Sequence, residues 1–122
     1  MKNQKTYTVY GIKNCDTVKK ALKWLNDNAV PYEFHDYKLL GISKEKLKDW
    51  AVQVGVDTLL NRKGMTWRKL TEKEQASAGT FNGAMALMQS KTSVIRRPLI
   101  ELDGEVKLVG FNPDEYTTLK KK

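Results

Sequence analysis

The 122-residue sequence contains one cysteine, Cys15, one histidine, His35, and no long run of apolar residues. One cysteine cannot form an internal disulfide, so nothing in the sequence indicates an oxidising compartment. One cysteine and one histidine do not supply a metal ligand set, so we expect no metal site. No apolar stretch approaches the roughly 20 residues of a membrane span, and the N-terminal residues lack the apolar core of a secretory signal. We therefore expect a cytoplasmic protein that does not bind a membrane and holds no bound cofactor.

Positive charge is in excess, because 22 lysines and arginines against 14 acidic residues give a net charge of +8. Such a charge is compatible with a nucleic-acid or acidic partner, or with local binding of a small anion. No basic stretch is interleaved with aromatic residues that would stack on bases. Much of the excess lies in helix-spaced lysines and in residues 120–122, which we interpret as solvated surfaces. Nucleic-acid binding is therefore disfavoured, and anion binding remains open.

The first 40 residues predict a β-α-β unit. Residues 6–10 are β-branched and aromatic and end at Gly11, which indicates a strand. The next apolar residues recur at 3.6 residues per turn and predict an amphipathic helix that Pro31 ends; they are Val18, Ala21, Leu22, Leu25 and Ala29. Residues 32–37 alternate as a second strand, and a strand that follows a crossover helix is expected to lie parallel to the first.

The C-terminal part predicts a β-hairpin and a helix. Two apolar segments, residues 99–102 and 105–109, flank Asp103-Gly104, a sequence typical of a two-residue turn. Asn112 is a candidate N-cap and Pro113 a candidate first helical residue, and the lysines at 120–122 suit the last turn. The hairpin places its two strands antiparallel, and a terminal helix follows them.

The middle of the chain, at about 41–90, predicts helices without a strand. Thr71 and Glu74 have the spacing of a capping box, which starts a short helix. Two further apolar stripes recur at helical spacing; they are Leu47, Trp50, Ala51 and Val54, then Phe81, Ala84, Met85 and Met88. We interpret both stripes as core packing rather than as cofactor contacts.

The order β-α-β, helices, β-β-α predicts a single α/β domain over residues 1–122. The simplest arrangement is a four-stranded mixed sheet with helices against it and a helical insertion at about 41–92. This layout is that of thioredoxin-like folds, in which a reactive thiol lies at the start of the first helix. Cys15 lies at that position, where helix N–H groups and the positive end of the helix dipole stabilise a thiolate. The alternative is a small buried hydrophobe, but the position favours reactivity.

Three segments of the sequence carry a family resemblance. They are residues 10–21 (YGIKNCDTVKKA), residues 59–68, which hold LLNRKG and TWR, and residues 95–100 (IRRPLI). Together they resemble the arsenate reductase (ArsC-like) family, including its Spx-type relatives and its glutaredoxin-like thiol reductase branch. The resemblance implies a thioredoxin-like fold, a cysteine that attacks an oxidised substrate, and arginines that hold the substrate's negative charge.

Site residues are carried over from the resemblance position by position. Cys15 matches the nucleophile, Arg97 matches an anion-binding arginine, and Pro98 resembles the cis-proline opposite the reactive sulfur. The family has a further anion-binding arginine after the first helices of the insertion. Its position aligns with Arg62, or with Asn61 if the alignment is shifted by one residue.

Residues next to the sulfur are candidates from their position in the sequence. The side chain of Asn14, the hydroxyl of Thr17 and the N–H groups of residues 16–18 are candidates for stabilising the thiolate. Asp16 is expected to cap the helix, whereas Arg96 and His35 are expected to be structural.

Two departures from the family pattern disfavour arsenate as the substrate and a regulator switched by a disulfide. Reductases of arsenate carry a further arginine just after the last strand, and residues 109–113 (VGFNP) contain none. Spx-type regulators often carry Cys-x-x-Cys, and here the fourth position is Val18. These departures favour the thiol reductase branch over reductases of arsenate. No second thiol of the chain can resolve an adduct on Cys15, and the resemblance implies glutathione as the co-substrate for that step, with glutaredoxin as a further partner. We therefore predict a glutathione-dependent, single-cysteine oxidoreductase that acts on a disulfide or small anionic substrate. The alternative is an Spx-like regulator that binds RNA polymerase without catalysis.

Overall fold

A computed structural model describes residues 6–119 of the chain. Its four strands form one mixed sheet in the order β2-β1-β3-β4; they are β1 (Tyr7–Gly11), β2 (Tyr32–Asp36), β3 (Leu99–Leu102) and β4 (Glu105–Val109). Strand β1 runs parallel to β2 and antiparallel to β3, and β3 runs antiparallel to β4. The predicted α/β class, the four-stranded mixed sheet and the parallel first pair are confirmed.

Eight helices and one 3-10 turn are described; they are α1 (Asp16–Asp27), α2 (Tyr37–Leu40), α3 (Lys44–Val54), α4 (Val56–Leu59), α5 (Met65–Arg68), α6 (Glu72–Ser77), α7 (Phe81–Ser90), the 3-10 turn (Thr92–Val94) and α8 (Pro113–Tyr116). The chain divides into two compact units. The first contains the sheet, α1 and α8, and comprises residues 6–37 and 97–119 of the described chain. The second is Lys38–Arg96, which extends a few residues beyond each end of the insertion that we predicted at about 41–92.

The first unit is built on one buried face of helix α1. Val18, Ala21 and Leu25 are fully buried, and Ala21 and Leu25 pack in one cluster with Val9 and Ile100 of the sheet. Leu22 is only half-buried. Our prediction that Ala29 belongs to the buried stripe is wrong, because α1 ends at Asp27 and Ala29 is exposed with a left-handed φ of 56°.

The C-terminal elements follow their local signals. Asp103 and Gly104 both have positive φ, of 53° and 80°, as a tight two-residue hairpin turn requires. The Asn112 side chain accepts a hydrogen bond from the Asp114 N–H at 3.0 Å, so Asn112 caps α8 as predicted. Helix α8 ends at Tyr116, and the predicted lysines of its last turn lie outside the described residues.

The second unit packs helix α3 against α7. Leu47, Trp50, Met85 and Met88 are fully buried, which confirms that these stripes form a core. The prediction for Phe81 is wrong, because this first residue of α7 is 44% exposed. Two other predictions for this unit are confirmed: the capping box at Thr71 and Glu74 forms, and residues 41–90 contain helices and no strand beyond an isolated bridge between Leu60 and Ile95.

Candidate active site

Cys15 is the N-cap residue of helix α1. Its backbone is extended, with φ of −143° and ψ of 122°, and its carbonyl accepts the first helical hydrogen bond from the Lys19 N–H at 2.9 Å. The side chain is half-buried. The chain leaves β1 at Gly11 and reaches the helix start within four residues, so the sheet fixes where the sulfur lies.

The surroundings of the sulfur favour the thiolate. Partial burial alone would raise the pKa of the Cys15 thiol. Hydrogen bonds from the Val18 N–H, the Arg97 side chain and the Thr17 N–H, together with the positive charge of Arg97, outweigh burial and hold this pKa below its ordinary value. These are the two stabilising groups that a nucleophilic cysteine at a helix start requires, namely unsatisfied N–H donors and a fixed cation.

Arg97 reaches the sulfur from the segment that leads into strand β3. The peptide bond between Arg97 and Pro98 is cis, as the resemblance implied. The Pro98 carbonyl accepts a hydrogen bond from the Gly110 N–H at 2.7 Å, which ties this segment to the end of β4. Arg97 and Cys15, 82 positions apart in the sequence, therefore meet in the first unit because β3 lies next to β1.

Three residues next to Cys15 were candidates for stabilising the thiolate or capping the helix. Thr17 donates its N–H to the sulfur, while its side chain is exposed. Our expectation that Asp16 caps the helix is wrong, because Cys15 occupies the N-cap and Asp16 is the exposed first residue of α1. Asn14 is also exposed, and its contribution to the site stays a prediction.

Arg62 lies in the second unit. Its Nη1 is 2.7 Å from Asp57 Oδ1, and its guanidinium carbon is 5.7 Å from the centre of the Trp67 ring. Both contacts are at the surface, with Asp57 90% exposed, so they hold the side chain only weakly. Its predicted role as a second anion contact stays a prediction.

The two residues that we expected to be structural make packing or backbone contacts. The Arg96 Nε donates to the Thr58 carbonyl at 3.0 Å within the second unit. In the first unit, the His35 ring lies 4.7 Å from the Tyr10 ring, centre to centre.

The sequence analysis missed a buried polar pair on strands β1 and β3. The Tyr10 hydroxyl donates to Glu101 Oε1 at 2.9 Å, and Glu101 is only 5% exposed. The Tyr37 hydroxyl is also buried, and the Tyr37 ring lies 6.3 Å from the Tyr10 ring, centre to centre. The one signal in the sequence was a carboxylate within the apolar strand Leu99-Ile100-Glu101-Leu102, since strand interiors seldom hold an unpaired acid.

Gly11 sets how closely helix α1 approaches the end of β1. A Cβ atom at this position would lie 2.9 Å from Val18 Cγ2, and Val18 is fully buried. We expect Gly11→Ala to lower the free energy of unfolding by about 1–3 kcal/mol, because the overlap must be relieved by moving the helix that carries Cys15. Urea denaturation measures this loss. In a Val18→Ala background the same substitution should cost less, and an equal cost in both backgrounds would contradict the explanation.

Two kinds of site are not found in the described part of the chain. Residues 6–119 contain no group of three or more His, Cys, Asp or Glu side chains placed to hold a metal ion. None of their helices combines the length and the apolar character that crossing a bilayer requires.

The chain has clear relatives among known proteins. A solved structure named YFFB protein is 48% identical, covers 93% of this chain and 98% of its own, and superposes with a TM-score of 0.86. An arsenate reductase (ArsC) related protein from Brucella melitensis is 42% identical, covers 95% of each chain and has a TM-score of 0.76. A protein of Haemophilus influenzae is 44% identical over 109 residues, which is 89% of this chain and 94% of the relative.

More distant relatives carry two functional names. A global transcriptional regulator Spx of Streptococcus agalactiae is 27% identical and covers 88% of this chain and 78% of its own. An arsenate reductase from Vibrio cholerae, at 18% identity and a TM-score of 0.75 over 97% of this chain and all of its own, shares the fold. The model of the ArsC family matches residues 10–119, which include Cys15, Arg97 and nearly all of both units. The chain therefore belongs to the ArsC family.

Proposed function

We propose that this protein is a glutathione-dependent thiol reductase in which Cys15 is the nucleophile and Arg97 the main anion contact. The observation that carries the proposal is the set of donors on one sulfur, two helix N–H groups and the Arg97 guanidinium. A structural cysteine has no need of such donors, whereas a nucleophile is effective only as the thiolate.

The reaction follows from the presence of a single thiol. The Cys15 thiolate attacks one sulfur of a mixed disulfide between glutathione and a substrate, the original sulfur–sulfur bond breaks, and the substrate leaves as a thiolate that takes up a proton. Cys15 is the one cysteine of the chain, so no internal thiol can resolve the new disulfide. A second glutathione thiolate attacks it, which regenerates the Cys15 thiolate and releases glutathione disulfide. Two electrons pass from glutathione to the substrate.

Glutathione suits this site because it is an anion with a thiol. It carries two carboxylates, and a guanidinium binds a carboxylate through short, charge-assisted hydrogen bonds. Arg97 supplies such a group beside the sulfur. We propose that a cytoplasmic glutathione pool is the source of electrons and that glutaredoxin is a further recycling partner.

Arsenate is the less favoured substrate. Residues 109–113 contain no arginine. The segment instead makes structural contacts. The centre of the Phe111 ring lies 4.9 Å from that of the Tyr116 ring, and Asn112 caps α8. An oxyanion would therefore lack the additional cation after β4 that the family resemblance leads us to expect in reductases of arsenate.

The test is the reaction of the purified protein with glutathione disulfide, with and without arsenate, read by intact mass spectrometry. We expect one glutathione adduct per chain without arsenate, its removal by excess glutathione, and no adduct on Cys15→Ser. The pH profile of iodoacetamide alkylation should have a midpoint below that of the same protein unfolded in urea. Equal midpoints and no adduct would contradict the proposal. Modification that depends on arsenate would instead support the oxyanion substrate.

A second candidate function is that of an Spx-like regulator, favoured by the 27% identity to relatives of that name. The chain would then bind RNA polymerase without turnover. A pull-down from lysate distinguishes the two: stoichiometric capture of a polymerase subunit that survives Cys15→Ser supports the regulator. Catalytic consumption of a mixed disulfide supports the enzyme.

A further inference from the structure

Glutathione has two carboxylates, whereas Arg97 is the one cation that donates to the Cys15 sulfur. The carboxylates lie at opposite ends of the tripeptide, on either side of its thiol, so a single guanidinium does not hold both. A site that selects glutathione therefore requires a second cation close to Cys15, and the first unit offers its lysines.

Helix α1 carries three exposed lysines, Lys19, Lys20 and Lys23. The Lys23 ammonium is already paired, with its Nζ 2.8 Å from Asp27 Oδ2. In the described part of the chain, neither Lys19 nor Lys20 has an acidic side chain within ion-pair distance. Lys19 and Lys20 are therefore the two lysines of this helix whose ammonium groups remain open to a ligand.

The helical register directs Lys19, rather than Lys20, toward Cys15. The Lys19 N–H donates to the Cys15 carbonyl at 2.9 Å, so Lys19 lies one turn after Cys15. Residues four apart on a helix have Cβ atoms about 5–6 Å apart, and helical side chains lean back toward the N-terminus. The Lys19 side chain therefore covers the turn that begins at Cys15. Lys20 lies about 100° further round the helix, and its side chain covers the turn that begins at Asp16.

The other charged residues beside Cys15 are Lys13 and Asp16. Lys13 is exposed, but it lies in the connection between β1 and α1, where no helical register directs its side chain. Asp16 is exposed and lies three residues before Lys19 and four before Lys20, so it offsets part of the positive charge of both. The two lysines thus differ chiefly in their position relative to the sulfur.

We propose that Lys19 is a specificity-determining residue, whose ammonium attracts the carboxylate of glutathione that Arg97 does not hold. The proposal rests on the proposed function and names its substrate class: disulfides in which the half that bonds to Cys15 is negatively charged. An exposed ammonium acts by raising the local concentration of anions, so its effect falls as salt screens the charge. The exchange of sulfur–sulfur bonds is unchanged, and Lys19 neither gains nor loses a proton in it.

The test compares Lys19→Ala with Lys20→Ala, because each removes one exposed lysine from the same helix. Intact mass spectrometry at pH 7 and low ionic strength follows the reaction of Cys15 with three disulfides: glutathione disulfide, which is negative, bis(2-hydroxyethyl) disulfide, which is neutral, and cystamine, which is positive. We expect Lys19→Ala to slow the reaction with glutathione disulfide about twofold to fivefold, to speed that with cystamine, and to leave the neutral disulfide unaffected. Lys20→Ala should have a clearly smaller effect on both charged disulfides.

Further measurements separate attraction of the substrate from activation of the thiol. Lys19→Arg should keep the wild-type rates, and about 1 M salt should abolish the difference between Lys19→Ala and the wild type. The alkylation midpoint of Cys15 should not move in Lys19→Ala, because the pKa of the thiol is lowered by Val18, Arg97 and Thr17.

Equal slowing of glutathione disulfide in Lys19→Ala and Lys20→Ala would overturn the assignment, since it would show a general effect of net charge. Equal slowing of all three disulfides in Lys19→Ala would also overturn it. A wild-type alkylation midpoint equal to that of the unfolded chain would instead refute the proposed function, so the two failures are distinguishable.

Discussion

Arg97→Ala should weaken glutathione binding about tenfold to a hundredfold, because a hydrogen bond to a charged group contributes about 1.5–3 kcal/mol. The same substitution should raise the pKa of the Cys15 thiol, since it removes both a hydrogen bond and a positive charge from the sulfur. Each unit of that rise slows alkylation below the midpoint only about threefold, because a more basic thiolate is also a better nucleophile. Titration calorimetry with glutathione, using Cys15→Ser protein to prevent reaction, measures the affinity.

Arg96→Ala is the matched control. Arg96 is the neighbouring arginine, and its side chain donates to the Thr58 carbonyl within the second unit. Both variants lose one positive charge, so a general effect of net charge would appear in both. We expect the affinity and the alkylation profile to change in Arg97→Ala alone. Equal changes in the two variants would remove Arg97 from the site.

Trp50→Ala should have the largest effect on stability. Trp50 is fully buried in the second unit, and truncation of a buried aromatic side chain costs about 3–5 kcal/mol. A domain of this size has a total stability of about 5–15 kcal/mol, so much of it would be lost. Urea denaturation followed by circular dichroism measures the loss, and a second transition would show that the two units unfold separately.

Trp67→Ala is the control for that measurement. Trp67 lies in the same unit but is only half-buried, with the Arg62 guanidinium over its ring. A surface cation–π contact contributes about 0.5–1 kcal/mol, so this variant should lose less than half as much stability as Trp50→Ala. Comparable losses would mean that burial in the core of the second unit is not what makes Trp50 important.

Local signals were sufficient where neighbouring residues in the sequence decide the structure. The Asp103-Gly104 turn, the Asn112 cap and the Thr71 capping box all formed as predicted, because each depends on groups within three residues of one another. The buried face of α1 was also predicted, because 3.6-residue spacing places Val18, Ala21 and Leu25 on one side of the helix.

Predictions of burial or capping failed where the tertiary structure, rather than the local sequence pattern, decides where a helix begins and ends. The apolar spacing extended to Ala29, but the backbone left the helix after Asp27 and turned into β2. Phe81 continued the stripe of α7 in the sequence, yet it is the first residue of the helix, and its side chain is 44% exposed. Asp16 had the composition of a cap, but the strand-to-helix connection places Cys15 at that position.

By itself, the sequence determined the mixed sheet, the helical middle and a cysteine at the start of a helix, because these follow from periodicity and from the chemistry of helix ends. Only the tertiary structure decided which distant groups surround the sulfur. Strand β3 pairs with β1, which brings Arg97 to Cys15 and Glu101 to the Tyr10 hydroxyl. The pairing of strands distant in the sequence depends on the packing of the whole sheet, and no local spacing encodes the contacts between side chains that it creates.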